Sequence, residues 1–205
     1  MPGTPLPRSF FERSPERVAR EVLGLLLVRV TDEALLVARI VEVEAYFGEG
    51  DPAAHAAAGR TARNAVLFGP AAHAYVYFIY GMYSCMNISC EPENQAGCVL
   101  VRALEPLAGL EQMARNRKLP PLTRPRLLTG GPGRLCQALD ITRAGENGLD
   151  LLDPHAPLQL RNQACPPAEI VATPRIGISK ATDRPLRFFL ADHPCVSGPI
   201  GNRRR

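Results

Sequence analysis

Three absences narrow the possibilities before any motif is read. Lysine is nearly missing: of the 24 basic residues only Lys118 and Lys180 are lysine, so arginine carries the positive charge of a chain whose net charge is +4. Arginine binds phosphate through a planar fork and stacks on flat rings, which suits a polyanionic partner. Metal-ligand spacing is missing too. The six cysteines, at positions 85, 90, 98, 136, 165 and 195, form no CxxC pair, and the four histidines are scattered. This argues against a zinc site and for reduced thiols in the cytosol, and no metal or other cofactor is expected. Long apolar runs are missing as well. The longest, around Val22 to Val30, is interrupted by charge and falls far short of the roughly 20 residues of a membrane span. Met1 to Pro7 is proline-rich and polar, unlike a secretory leader. A soluble intracellular protein with no membrane partner is expected.

What is present is enough apolar residue for one sizeable core: 205 residues at 46% hydrophobic, below the roughly 250 at which single cores split. Ser14-Pro15 opens a helix in which Val18, Val22 and Leu25 share a stripe. LLLVRV, a turn at Thr31-Asp32-Glu33 and LLVARIVEVEAYF read as an antiparallel pair. A loop, GEGDPAAHAAAGRTARN, leads to YVYFIYGMYSCMNIS, then CVLVRALEPL, a short helix over Leu110 to Lys118, and GGPG feeding the helix RLCQAL. LLDPHAPLQL, IVATPRIGI and LRFFLA are short strands between proline turns. The expected fold class is α+β: a single domain over 1–205, with a curved, mainly antiparallel sheet, peripheral helices, long loops and a protruding β-hairpin. The ends, 1–12 and 198–205, are expected to be flexible.

Three stretches carry chemistry. In the hairpin, Tyr75, Tyr77, Tyr80 and Tyr83 fall within nine residues, and Gly81 between two apolar runs supplies the positive φ of a tight reversal. A three-residue loop, Tyr80 to Met82, would put Tyr75, Tyr77, Cys85 and Asn87 on one face; a two-residue loop would put Tyr77 and Asn87 on opposite faces. An aromatic tip suits a wedge that inserts into something stacked, or else a core hairpin capped by a neighbouring loop. In VEVEAY, Glu42 and Glu44 lie on one face of a strand, opposite Val41 and Val43, about 7 Å apart, within the range of carboxyl pairs that hydrolyse glycosidic bonds. The commoner reading of such a pair is the solvent side of a half-buried strand. Arg102, inside an apolar strand, needs a carboxylate or phosphate partner. GGPG with Arg134 is the kind of turn that holds a phosphate.

IVEVEAYFGEGDPAAH, YVYFIYGMYSCMNIS, CVLVRALEPLAGLE, GPGRLCQAL and RIGISKATDRPLRFFL, in this order, resemble the 3-methyladenine (alkyladenine) DNA glycosylase family, from about Pro15 to Ser197. The resemblance implies a monofunctional base-excision-repair hydrolase that flips damaged purines out of duplex DNA. Glu44 matches the general base and Arg102 the arginine that helps hold the attacking water. Tyr80 matches the residue that fills the space left in the duplex. Tyr46, His55 and Tyr77 match the enclosure of the flipped base, and Asn87 the residue that excludes the 2-amino group of guanine. Arg63 and Arg134 are candidate phosphate contacts, Arg134 standing where lysine is usual. The implied partner is double-stranded DNA with damaged purines, bound by a monomer in a bacterial cytoplasm. No lysine is expected near these motifs, so no Schiff-base step is expected. Two alternatives from other classes are a non-catalytic nucleic-acid binding module and a sugar-processing glycosidase using Glu42 and Glu44.

Overall fold

The computed structural model describes residues 2–79, 81, 83–163 and 168–198. Among them, eight strands form one antiparallel sheet that curls, with short helices against one face. The strands are β1 (Leu26–Val30), β2 (Leu35–Phe47), β3 (Ala74–Ile79), β4 (Tyr83–Cys90), β5 (Gly97–Ala108), β6 (Leu158–Arg161), β7 (Ile170–Thr173) and β8 (Arg187–Leu190). The main path is β3-β4-β5-β2-β1-β6, and β8 joins β2 and β7. The helices are α1 (Pro15–Glu21), α2 (Leu110–Asn116), α3 (Pro125–Thr129), α4 (Pro132–Ala138) and α5 (Arg143–Glu146).

The helical stripe does what its spacing implies. Val18 and Val22 are fully buried and join Leu36, Ala38, Ile40, Val76, Met86, Val99, Leu104, Leu135 and Phe188 in the main core. Each Val, Leu, Ile, Met or Phe side chain so removed from water contributes about 1.5–3 kcal/mol. Pro15 stands at the first turn of α1 as expected, and Ser14 is the N-cap residue, but its hydroxyl makes no capping bond. Thr31 closes the β1–β2 turn by donating its N–H to the Ala34 carbonyl. The stretch LLDPHAPLQL contracts to β6, and IVATPRIGI yields only β7; residues 174–186 leave the sheet as a strap before β8.

Strict alternation fails in the middle of β2, and the failure sets up the site. Leu36, Ala38 and Ile40 face the main core, so an unbroken strand would turn Glu42 and Glu44 into it as well. Instead Ile40 pairs with Leu104 and Glu42 with Ala103, leaving Val41 as an extra residue; Val43 then pairs with Val101, leaving Arg102 extra on β5. Bulges re-aim side chains in this way. Past them Val43 and Ala45 enter the main core, and Val41, expected beside Val43, packs in a separate cluster with Ala103, Leu190 and Cys195.

The hairpin register answers the loop-length question. Tyr75 pairs with Asn87, Tyr77 with Cys85 and Ile79 with Tyr83, so three residues connect the strands, and Gly81 has φ of 71°. Tyr80 and Met82 at the tip, including the expected intercalating residue, lie outside the described residues.

Candidate active site

On the sheet face away from the main core a cavity of about 680 Å³ opens between the hairpin, β5, the loop after β2 and the strap. Small-molecule sites commonly span roughly 300–1,000 Å³. Tyr46, His55, Tyr77, Asn87 and Arg102 all border it, as does Arg63. The three-residue hairpin loop is what brings Tyr77 and Asn87 to the same wall. Arg134, on the exposed side of α4, does not border the cavity.

The carboxylates lie behind the cavity lining, which includes neither of them. Glu42 and Glu44 are fully buried, not on a solvated strand face. Arg102 finds its partners in both: its Nε lies 3.1 Å from Glu42 Oε1 and its Nη1 3.2 Å from Glu44 Oε1. Beyond that shared arginine the two carboxylates part company. Glu44 accepts from the Tyr46 hydroxyl at 2.8 Å and from the Ile176 N–H at 2.7 Å, and Tyr46, Arg102 and Ile176 all border the cavity. Glu42 accepts from Arg187 Nε at 2.7 Å and from the Ser197 N–H at 2.5 Å, and neither of those residues does. Burial costs Arg102 some of its preference for charge, but Glu44 and then Glu42 outweigh it and hold the guanidinium protonated.

The walls are as firmly held. Arg175 forks onto Asp51 at 2.6 and 2.9 Å, both side chains fully enclosed, and donates to the Ala45 carbonyl at 3.0 Å. Its guanidinium lies 4.5 Å from the centre of the Tyr46 ring. Asp51 in turn accepts from the Phe47 and Ala53 N–H groups; the Arg175 fork, working against burial, keeps its carboxyl below the usual range. Asn64 donates to the carbonyls of His55 and Gly59, closing the same loop. His55 Nδ1 is 3.0 Å from the Tyr75 hydroxyl, and its ring meets Tyr77 edge-on at 4.4 Å. Burial, then the charge of Arg63, pushes the imidazole pKa down, so the ring is neutral near pH 7. Burial likewise raises Tyr46 and Tyr77, Glu44 adding to the effect on Tyr46. Asn87 has its amide fixed at both ends: Nδ2 donates to the Tyr75 carbonyl at 3.1 Å, and Oδ1 accepts from the Cys98 thiol at 3.6 Å. Burial pushes that thiol up to about 12, so it stays protonated.

Residues 9–194 match the family described as methylpurine-DNA glycosylase (MPG). The chain belongs to the methylpurine-DNA glycosylase family. It is 55% identical over 194 residues, 95% of its length and 93% of the relative's, to a Koribacter versatilis protein provisionally named 3-methyladenine DNA glycosylase. Proteins with the same provisional name from Burkholderia lata and Methanoculleus marisnigri are 47% and 50% identical, over 98% and 94% of this chain and 95% and 98% of theirs. The chain is therefore a DNA glycosylase, a hydrolase acting on N-glycosyl bonds, with DNA as its partner.

Several site residues were not evident from the sequence. Arg187 and Ser197 close around Glu42, while Asp51 and Arg175 brace the loop that carries His55. Ile176 reaches Glu44 through its backbone alone, and a backbone donor leaves no side-chain signal. Lys180 is a correction: it lies within RIGISKATDRPLRFFL and borders the cavity, exposed. The strap brings it there. No helix among the described residues is long and apolar enough to cross a membrane.

Proposed function

We propose that this chain excises damaged purines from duplex DNA, flipping the nucleotide into the cavity and hydrolysing its glycosidic bond with a water activated by Glu44. The observation that carries this reading is that the partners of Glu44, and not those private to Glu42, are cavity walls. A base cannot be attacked inside the stack, and extruding it costs a few kcal/mol, least for a damaged pair. Tyr80 offsets part of that cost by filling the gap, as apolar wedges do in minor-groove binders.

Inside the cavity an N-alkylated purine carries positive charge, and the faces of Tyr46 and Tyr77 attract it. His55 contacts the base edge and sugar, Asn87 excludes the guanine 2-amino group, and Arg63 and Arg134 hold phosphates. Water attacks C1′ as the C1′–N bond breaks; its proton goes to Glu44, the bonding electrons leave with the base, and Arg102 holds the water beside the carboxylate. The charge already on the base makes protonation of the leaving group unnecessary for such lesions. Lys180 does not divert the reaction to a Schiff base: an exposed amine lacks the desolvation that activates catalytic lysines, and borohydride trapping on abasic DNA should yield no adduct. The enzyme works as a monomer in the cytoplasm.

Duplexes carrying single 3-methyladenine, 7-methylguanine, hypoxanthine or ethenoadenine test the reading. Incubation should leave alkali-labile abasic sites at one or more of these lesions, with binding that weakens steeply as salt rises. Binding without base release would favour a non-catalytic module, and salt-insensitive cleavage of free glycosides would favour a sugar glycosidase.

A further inference from the structure

Arg187 has no place in the reaction just described, yet it is 2% exposed and spends its whole guanidinium on this layer. Its Nε donates to Glu42 Oε1 at 2.7 Å, Nη1 to Thr173 Oγ at 3.0 Å, and Nη2 to the Ser197 carbonyl at 2.8 Å. The ring of Phe189 lies 4.4 Å away. In the sheet its backbone is opposite Glu44. Glu42 Oε1 thus receives two arginines, and Glu42 Oε2 receives the Ser197 N–H. A carboxylate so saturated has no free direction toward the cavity.

The charges explain why such an arrangement exists. Glu42, Glu44 and Arg102 alone would leave a dry layer with one uncompensated negative charge, and Arg102 would be drawn from Glu44 toward Glu42. Its contact with Glu44, at 3.2 Å, is the longest ion pair in the group. Arg187 makes the layer two against two. We infer that Arg187, acting through Glu42, is a positioning residue of the glycosylase reaction: it neutralises Glu42 so that Arg102 stays on Glu44. The inference rests on Glu44 being the base.

The groups around Glu44 are Glu42 and Tyr46 from β2, Arg102 from β5, Arg187 from β8, Arg175 of the strap held by Asp51, and Tyr77 and Cys85 from the hairpin. Of these, Arg187 can be removed without touching the cavity wall. The test is single-turnover base release from a duplex with one 7-methylguanine, whose charge makes leaving-group protonation unnecessary, measured across pH. Arg187→Met should move the acid limb up by about one pH unit, as a nearby unpaired carboxylate does. Glu42→Gln, which leaves Arg187 unbalanced, should move it down by a similar amount. The double variant Glu42→Gln/Arg187→Met should return it to the wild-type position, and this comparison stands even where Arg187→Met alone fails to fold. A limb that stays put in Glu42→Gln and in the folded arginine variants, with only thermal stability lowered, would overturn the inference and leave Arg187 structural. Glu44→Gln separates the two levels: if it keeps wild-type rates, the assignment of the base has failed; if it is dead while the limbs do not move, only the role of Arg187 has failed.

Discussion

The two halves of β2 are one strand with opposite phase. Up to Ile40 the even-numbered residues enter the main core; from Glu42 onward they turn to the opposite face, where Tyr46 borders the cavity, and the odd-numbered Val43 and Ala45 take over the core. One extra residue on each of β2 and β5 makes the difference. Were Val41 paired in strict alternation, two carboxylates would be buried among alkyl groups. Bulged, it leaves them sharing a buried arginine next to a cavity. The polar layer is therefore not a defect in the core but its other side, reached by a local change of phase.

The most severe way to break that comparison is Arg102→Met, which leaves the fully buried Glu44 without its arginine and the fully buried Glu42 with Arg187 alone. Stranding buried charge in this way costs about 3–5 kcal/mol or more, against a whole domain stability of about 5–15 kcal/mol. Calorimetry should show the largest loss of Tm of any substitution named here; an unchanged Tm would show that the polar layer does not need its shared arginine. Next, Asp51→Ala leaves Arg175 buried and unpaired. The expected loss is about 3–5 kcal/mol, which by calorimetry is a drop of about 10 °C in Tm, and an unchanged Tm would contradict the bracing role. In the core half, Ile40→Ala should cost about 2–5 kcal/mol while the single-turnover rate of the folded fraction stays at the wild-type value. A proportionate fall in that rate would mean that the halves are not separable.

The smallest effect concerns His55. Its pKa is pushed below the usual value by burial and Arg63, so on acidification the unfolded chain takes up the proton first. The contribution to stability is present above about pH 6.5 and is lost as pH falls below it. An NMR titration of the His55 imidazole should show a midpoint under 6.5; a midpoint above it would contradict the enclosed, neutral ring.

Much of this was legible in the sequence, and the reasons for the rest are physical. Alternation and turn chemistry located every strand of the main sheet path, and the motif order pointed to the family to which the chain belongs. An arginine in an apolar run announced its need for a carboxylate, which Glu42 and Glu44 supply. Period-2 reasoning could not see the bulges, because an extra residue changes pairing without changing composition. It therefore could not foresee that Glu42 and Glu44 would be fully buried. Nor could it foresee that Arg187, about 145 positions from Glu42, would close the charge balance, or that the strap would carry Lys180 to the cavity. Those contacts depend on where loops return, and RIGISKATDRPLRFFL marks the strap and β8 without revealing what they meet.

The central claim is that one carboxylate of the pair faces the chemistry and the other faces away. It is tested most directly by single-turnover release of 7-methylguanine from duplex DNA, at a pH well above the acid limb, with Glu44→Gln and Glu42→Gln side by side. The account predicts a fall of about 10³-fold for Glu44→Gln, the scale of a positioned general base, with DNA binding intact, and for Glu42→Gln a rate within about tenfold of wild type, since a residue that acts only by setting ionisation matters least there. Loss of release in Glu42→Gln with activity retained in Glu44→Gln would contradict it.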